Sequence, residues 1–152
     1  MRTYRCWPLI VLSLPLPVLA ATVEHCPSPA AIRSAGEVYQ APTIDGQGEW
    51  IGITPITGSG PVRSFIEAIF HPAPGGASQE GHLGKCSYRL GSGGVLDLAY
   101  QPERAPRVAL RETQHWQRTE GPFGLVYYRC MVRDAAQCRF EARPQTSGRQ
   151  PR

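Results

Sequence analysis

Lys85-Cys86-Ser87-Tyr88-Arg89-Leu90-Gly91-Ser92-Gly93-Gly94-Val95-Leu96-Asp97-Leu98-Ala99-Tyr100 is the stretch whose reading decides the fold. Cys86, Tyr88 and Leu90 alternate with Ser87 and Arg89, and Leu96, Leu98 and Tyr100 alternate with Asp97 and Ala99. Four residues, three of them glycine, part the two runs. Successive side chains of a strand point to opposite faces, so two period-2 runs about a glycine-rich break predict a β-hairpin. Its apolar faces meet one core, with Cys86 inside it. Ser92 falls at the hairpin tip, where glycines supply positive φ, and reads as a turn residue rather than a nucleophile.

Strand signals continue on both sides. Val38 to Ala41 reads as a brief strand and Trp50 to Thr54 as a better one, rich in β-formers. Arg107 to Arg111 alternates, Thr113 to Gly121 is strand or loop around Trp116, and Gly124 to Val132 is the most apolar run after the N-terminal segment. Arg133 to Ala136 is read as its turn and Gln137 to Phe140 as its antiparallel return. Pro55 to Pro61 and His71 to Gly81 are rich in proline and glycine and read as loops. Near the start, Ser28 suits an N-cap, Pro29 a first helical position and Gly36 a stop, predicting one short helix of about two turns. Residues 62–70 fit two periods. Val62, Phe65, Ile66, Ile69 and Phe70 make a helical stripe, while as a strand both faces would be apolar. Neighbouring strand candidates and the lack of Leu, Lys or Gln favour the strand. The expectation is one mainly β, antiparallel domain over residues 21–141, either a meander sandwich or a half-open barrel.

Residues 1–20 have the pattern of a secretory signal: Arg2 and Arg5, then a mostly apolar run to Leu19, then Ala20 at the cleavage position. The run is too short for a membrane span of about 20 apolar residues. Residues 142–152 are short of apolar side chains and read as a flexible tail. Losing Arg2 and Arg5 from 16 basic residues leaves 14 against 12 acidic ones, about +2, with the arginines scattered. That balance gives no reason to expect nucleic acid as a partner. Without Cys6, the cysteines are Cys26, Cys86, Cys130 and Cys138. An even count in a small exported domain reads as two disulfides. Of three connectivities, Cys26–Cys86 with a local Cys130–Cys138 bridge is favoured. A periplasmic or secreted location follows from the same features.

Chemistry-bearing residues are scattered. His25, His71, His82 and His115 share no metal-ligand spacing, no Gly-x-Ser-x-Gly elbow exists, and no glycine-rich phosphate loop precedes a helix. The expectation is therefore no metal, no cofactor and no catalytic residue. Glu67, within an apolar run, is the carboxylate whose burial would demand a partner; the expectation is a solvated edge or a pair with an arginine. Trp116, Arg118, Phe123, Tyr127 and Arg129 are of the types enriched at interaction hot spots, although a tryptophan such as Trp116 is more often core filling in a domain of this size. If Tyr128 faces the core, strand alternation turns Tyr127 and Arg129 outward. These residues point to a noncatalytic binding module whose partner is another exported or envelope protein, such as a hydrolase or toxin that it inhibits. The alternative is a small cell-wall-active or other hydrolase using Glu67, Glu112 or a histidine.

Cys26-Pro27, Trp50-Ile51-Gly52, Phe65-Ile66-Glu67-Ala68, Cys86-Ser87-Tyr88 and the Cys130…Cys138 pair resemble a family of small exported proteobacterial proteins known only as a domain of unknown function. The resemblance spans most of residues 23–141. It implies an exported, single-domain, disulfide-bearing protein and carries no activity with it.

Overall fold

The computed structural model describes residues 21–75, 79–102 and 107–143. The expected secretory segment and the tail from residue 144 on lie outside the described residues. Among the described residues, eleven strands form one antiparallel sheet. They are β1 (Thr22–His25), β2 (Arg33–Ala35), β3 (Val38–Pro42), β4 (Gly48–Ile53), β5 (Val62–Pro72) and β6 (Glu80–Leu90). β7 (Val95–Pro102), β8 (Arg107–Leu110), β9 (Trp116–Glu120), β10 (Val126–Cys130) and β11 (Arg139–Arg143) complete it.

β6 carries the others. One edge pairs with β5 along its whole length, from Val62↔Leu90 to Pro72↔Gly81. The opposite edge is divided: Glu80 and Gly81 pair with β8, and Cys86 to Arg89 pair with β7. Three arms leave this strand, β5–β10–β9, β7–β4–β3–β2 and β8–β11–β1, and they curl into a half-barrel around one core. The β6–β7 hairpin has the register its alternation requires, Tyr88 opposite Leu96 and Cys86 opposite Leu98. Its turn is closed by Leu90 N–H to the Gly94 carbonyl at 2.9 Å, with Gly93 at φ +88° where a side chain would be strained.

Residues 62–70 are strand. Their helix-like spacing comes from bulges, each of which inserts one unpaired residue and shifts the register. The core-facing pairs are Val62/Leu90, Phe65/Tyr88, Ala68/Cys86 and Phe70/Leu83. Along β5 the inward residues are thus spaced by three, three and two positions, which imitates a helical stripe. The last irregularity places the extra residue, Gly84, in β6.

Three expectations are corrected. The short N-terminal helix is a single 3-10 turn, Pro29–Ala31, after which Ile32 is already extended and Arg33–Ala35 is strand. Ser28 makes no side-chain cap, and Gly36, at φ +63°, turns the β2–β3 hairpin rather than ending a helix. The segment after Cys130 does not fold back on β10. A 3-10 turn at Ala135–Gln137, capped by Asp134 accepting from Ala136 N–H at 3.0 Å, sends the chain into the slot between β8 and β1. Ala142 and Arg143, read from composition as tail, belong to that strand and pair with Val108 and Arg107.

Two disulfides tie the arms. Cys26–Cys86 joins the end of β1 to the centre of β6 across 60 positions, and Cys130–Cys138 joins β10 to the entrance of β11 across 8. All four cysteines are fully buried. Aromatic contacts run the same way: Trp50 of β4 meets Phe140 of β11 at 6.1 Å and Tyr100 of β7 at 5.1 Å, and Phe70 of β5 meets Trp116 of β9 at 6.3 Å. The Tyr88 hydroxyl donates to the Pro27 carbonyl at 2.6 Å beside the long disulfide, and burial holds its pKa well above the usual phenol range. The Tyr39 hydroxyl donates to the Gly60 carbonyl and accepts from Gly60 N–H, fastening the loop before β5.

The chain-entropy relation gives about 4 kcal/mol for a loop of 60 residues and about 2.5 kcal/mol for one of 8. Denaturant melts should therefore show a larger loss of stability for the Cys26→Ala/Cys86→Ala pair than for Cys130→Ala/Cys138→Ala. An equal or smaller loss would contradict the anchoring role of the long bridge.

Candidate functional site

The outward face of β5, β6 and β10 gathers most of the residues with chemistry. β10 alternates as its sequence requires: Tyr128 turns in against Phe70, with ring centres 6.1 Å apart, while Tyr127 and Arg129 lie on the opposite face. Arg129 stands opposite Ile69 and reaches Glu67, its Nε and Nη2 donating to one carboxylate oxygen at 2.7 and 2.5 Å. The carboxylate in the apolar run thus has the arginine partner that burial demands, from a residue 62 positions away. Next in the sheet, Ser87 and Lys85 both donate to Asp97, at 2.6 and 2.7 Å. These groups form a belt of satisfied polar contacts.

At the far end of the same face, His71 and His82 stand directly opposite across the β5–β6 ladder and stack, with ring centres 5.1 Å apart. Tyr127 lies over His71 at 6.4 Å. Burial, and then the neighbouring His82, lower the pKa of His71 from its ordinary value. Sequence reasoning placed His71 at the start of a loop running to Gly81, with His82 just beyond it. The β5–β6 hairpin is longer than that reading, and the turn signal Pro74-Gly75 sits between them in the chain. That central turn is the clue that pairs them.

The β9–β10 connection carries the exposed apolar residues. Gly121 N–H donates to the Leu125 carbonyl at 2.7 Å and closes a tight turn over Pro122, Phe123 and Gly124. A Cβ on Gly121 would come within 3.1 Å of the Tyr127 ring, so the turn is seated against that side chain. Phe123 has φ +61° and is 102 % exposed, and Leu125 is 66 % exposed. Of the five residues expected in a contact patch, Phe123 and Tyr127 adjoin here. Arg118, on β9, is exposed and paired with Glu120 at 2.8 Å, and Arg129 is committed to Glu67. Trp116 is in the core, 6 % exposed, donating from Nε1 to the Arg139 carbonyl at 3.3 Å.

The remaining candidates are dispersed. Glu112, in the left-handed region at φ +49°, pairs with Arg139 at 3.1 Å and lies 3.8 Å from His115 on an exposed surface. His25 is in hydrogen-bond contact with the Cys26 carbonyl. One buried acid escaped the sequence reading. Glu24 is 2 % exposed, accepts from Ile44 N–H at 2.7 Å and from His25 N–H at 3.0 Å, and so ties β1 to the β3–β4 loop. Burial raises its pKa, against the opposing pull of the two amides, and burial together with Glu24 and Asp45 pushes the Tyr100 hydroxyl up to about 12. No alternation in Thr22-Val23-Glu24-His25 marks it as buried.

Fold and site together define a small, two-disulfide, antiparallel β half-barrel with an apolar hairpin tip. The chain belongs to the family described as "Protein of unknown function (DUF3757)", whose model matches residues 21–141. No curated protein and no solved structure matches it.

Glu24 makes a pH prediction. Its folded pKa lies above the ordinary 4.5, so the folded state keeps a proton that the unfolded chain releases, and its contribution to stability falls as pH rises from about 4.5 through the raised value. The stability of the wild type relative to Glu24→Gln should decline across that window in chemical denaturation series. Parallel curves for the two proteins would contradict the buried, proton-retaining carboxyl.

Proposed function

We propose that this chain is an exported, noncatalytic binding module that engages another exported or envelope protein through the β9–β10 hairpin tip. The observation that carries this reading is Phe123, whose ring is fully solvent-exposed on a backbone held at φ +61°. A non-glycine residue in the left-handed region costs roughly 1 kcal/mol, and an exposed phenylalanine returns nothing to the fold. Leu125 adds a second exposed apolar side chain two positions on, and Tyr127 supports the turn from beneath. A rigid aromatic anchor loses little entropy on docking, which is what a hot spot requires.

Two disulfides in a small domain are consistent with an oxidising compartment, and with the signal pattern of residues 1–20 they support periplasmic or secreted residence. Among the described residues, no helix is long and apolar enough to cross a membrane. An inhibitor of an exported enzyme is the partner relationship that a projecting, pre-formed tip fits best, since such a loop inserts into a pocket without rearranging.

The test compares wild type with Phe123→Asn/Leu125→Ser, asparagine being chosen because it tolerates the left-handed backbone. Immobilised wild type should retain a partner from envelope extract, and the variant should lose roughly 30-fold or more in affinity for it, the loss of a hot spot of about 2 kcal/mol. Its melting temperature should not fall. Retention of the same partner by the variant with equal affinity would overturn the reading.

A further inference from the structure

We propose that His71 and His82 form a two-histidine site for a divalent late transition-metal ion on the outward face of the β5–β6 hairpin, with water in the remaining positions. The two residues are direct cross-strand partners, so the ladder itself fixes their separation. With a metal–nitrogen bond of about 2.1 Å and a ring nitrogen about 1.1 Å from its ring centre, two adjacent imidazoles on one ion stand roughly 4.5 Å apart in square-planar and roughly 5 Å apart in tetrahedral geometry, centre to centre. The rings of His71 and His82 are 5.1 Å apart. The direct cross-strand pairing thus holds both imidazoles within reach of one ion.

The rings are now stacked, with planes inclined by 24°. Chelation requires turning a ring so that a nitrogen lone pair points at the ion. His82 is exposed, and its terminal torsion is of the broad, two-fold type that permits such a turn. His71 is seated more firmly: a Cβ on Gly84 would lie 2.9 Å from both Cδ2 and Nε2 of its ring, so the glycine bulge of β6 leaves room for it. Tyr127 flanks it on the other side. One fixed and one adjustable imidazole make a partly pre-organised pair. Among the described residues no cluster of three or more His, Cys, Asp or Glu ligands exists, so the protein supplies two nitrogens and the ion stays open to solvent. Imidazole with water suits Cu(II), Ni(II) and Zn(II), and Cu(II) binds tightest in that series.

The test titrates Cu(II) into the full chain, free of any histidine tag, by calorimetry and follows the nitrogen splitting in its electron paramagnetic resonance spectrum. Wild type should show one saturable site with two coordinated nitrogens. His71→Ala and His82→Ala should each weaken it by roughly tenfold or more and reduce the nitrogen count, whereas His25→Ala and His115→Ala leave both unchanged. Because His82 is exposed, its replacement leaves the fold intact and keeps the test decisive. The absence of a saturable site in wild type would overturn the proposal, as would equal binding by the His71→Ala/His82→Ala protein. Neither result touches the hairpin-tip reading, which rests on different residues.

Discussion

The constraint on which this structure depends is that β6 must serve two different neighbours along one edge. Eleven residues long, it gives its first two positions to β8 and its second half to β7, while β5 occupies the other edge throughout. A flat ladder of that length could not diverge into two arms. The bulges in β5 and at Gly84 in β6 bend the pair, since each local excess of one residue increases twist and kinks the strand. The arms then curve toward each other instead of continuing as an open sheet, and the space between them becomes the core.

Curvature alone leaves three arms that touch mainly through side chains, and the covalent and aromatic contacts close them. Cys26–Cys86 fixes the chain start to the middle of β6, with the Tyr88 hydroxyl on Pro27 beside it. Cys130–Cys138 and the Trp116 indole on Arg139 join the β10–β9 arm to β11, and Trp50, Tyr100 and Phe140 join β4 and β7 to β11. A domain of this size has a modest core, and such cross-links offset part of the chain entropy that burial alone would have to overcome. The outward face of the same strands is left to polar pairs, the histidine stack and the projecting turn at Phe123.

What could be read in the sequence follows the range of the interactions involved. The β6–β7 hairpin was legible because alternation and a glycine turn are local, and the favoured cysteine pairing matches the disulfides. The 62–70 strand was ambiguous for a physical reason: its bulges replace a period of two with spacings of three. Ser28-Pro29 reads as a helix start, but three residues of 3-10 turn are all that precede the demand of β3 for a partner at Arg33–Ala35. The return of Gln137 to Phe140 onto β10 failed because β11 finds two partners, β8 and β1, from distant parts of the chain. The same distance hid the Arg129 pairing of Glu67 and the burial of Glu24, neither of which any local pattern announces. Among the residues expected in a contact patch, residue type alone could not separate buried Trp116 from exposed Phe123.

The bulged β5–β6 ladder, held by Cys26, is the frame on which both the hairpin tip and the histidine pair are displayed. Native-state hydrogen exchange tests that claim most directly, because it ranks each amide by the free energy needed to open it. The amides of β6 from Cys86 to Leu90 and of β5 from Ala68 to Phe70 should be the slowest in the protein, exchanging only with global unfolding, while those of β2 and the Gly121–Leu125 turn exchange through local opening. Exchange of the β5–β6 amides as fast as those of β2 would contradict the account.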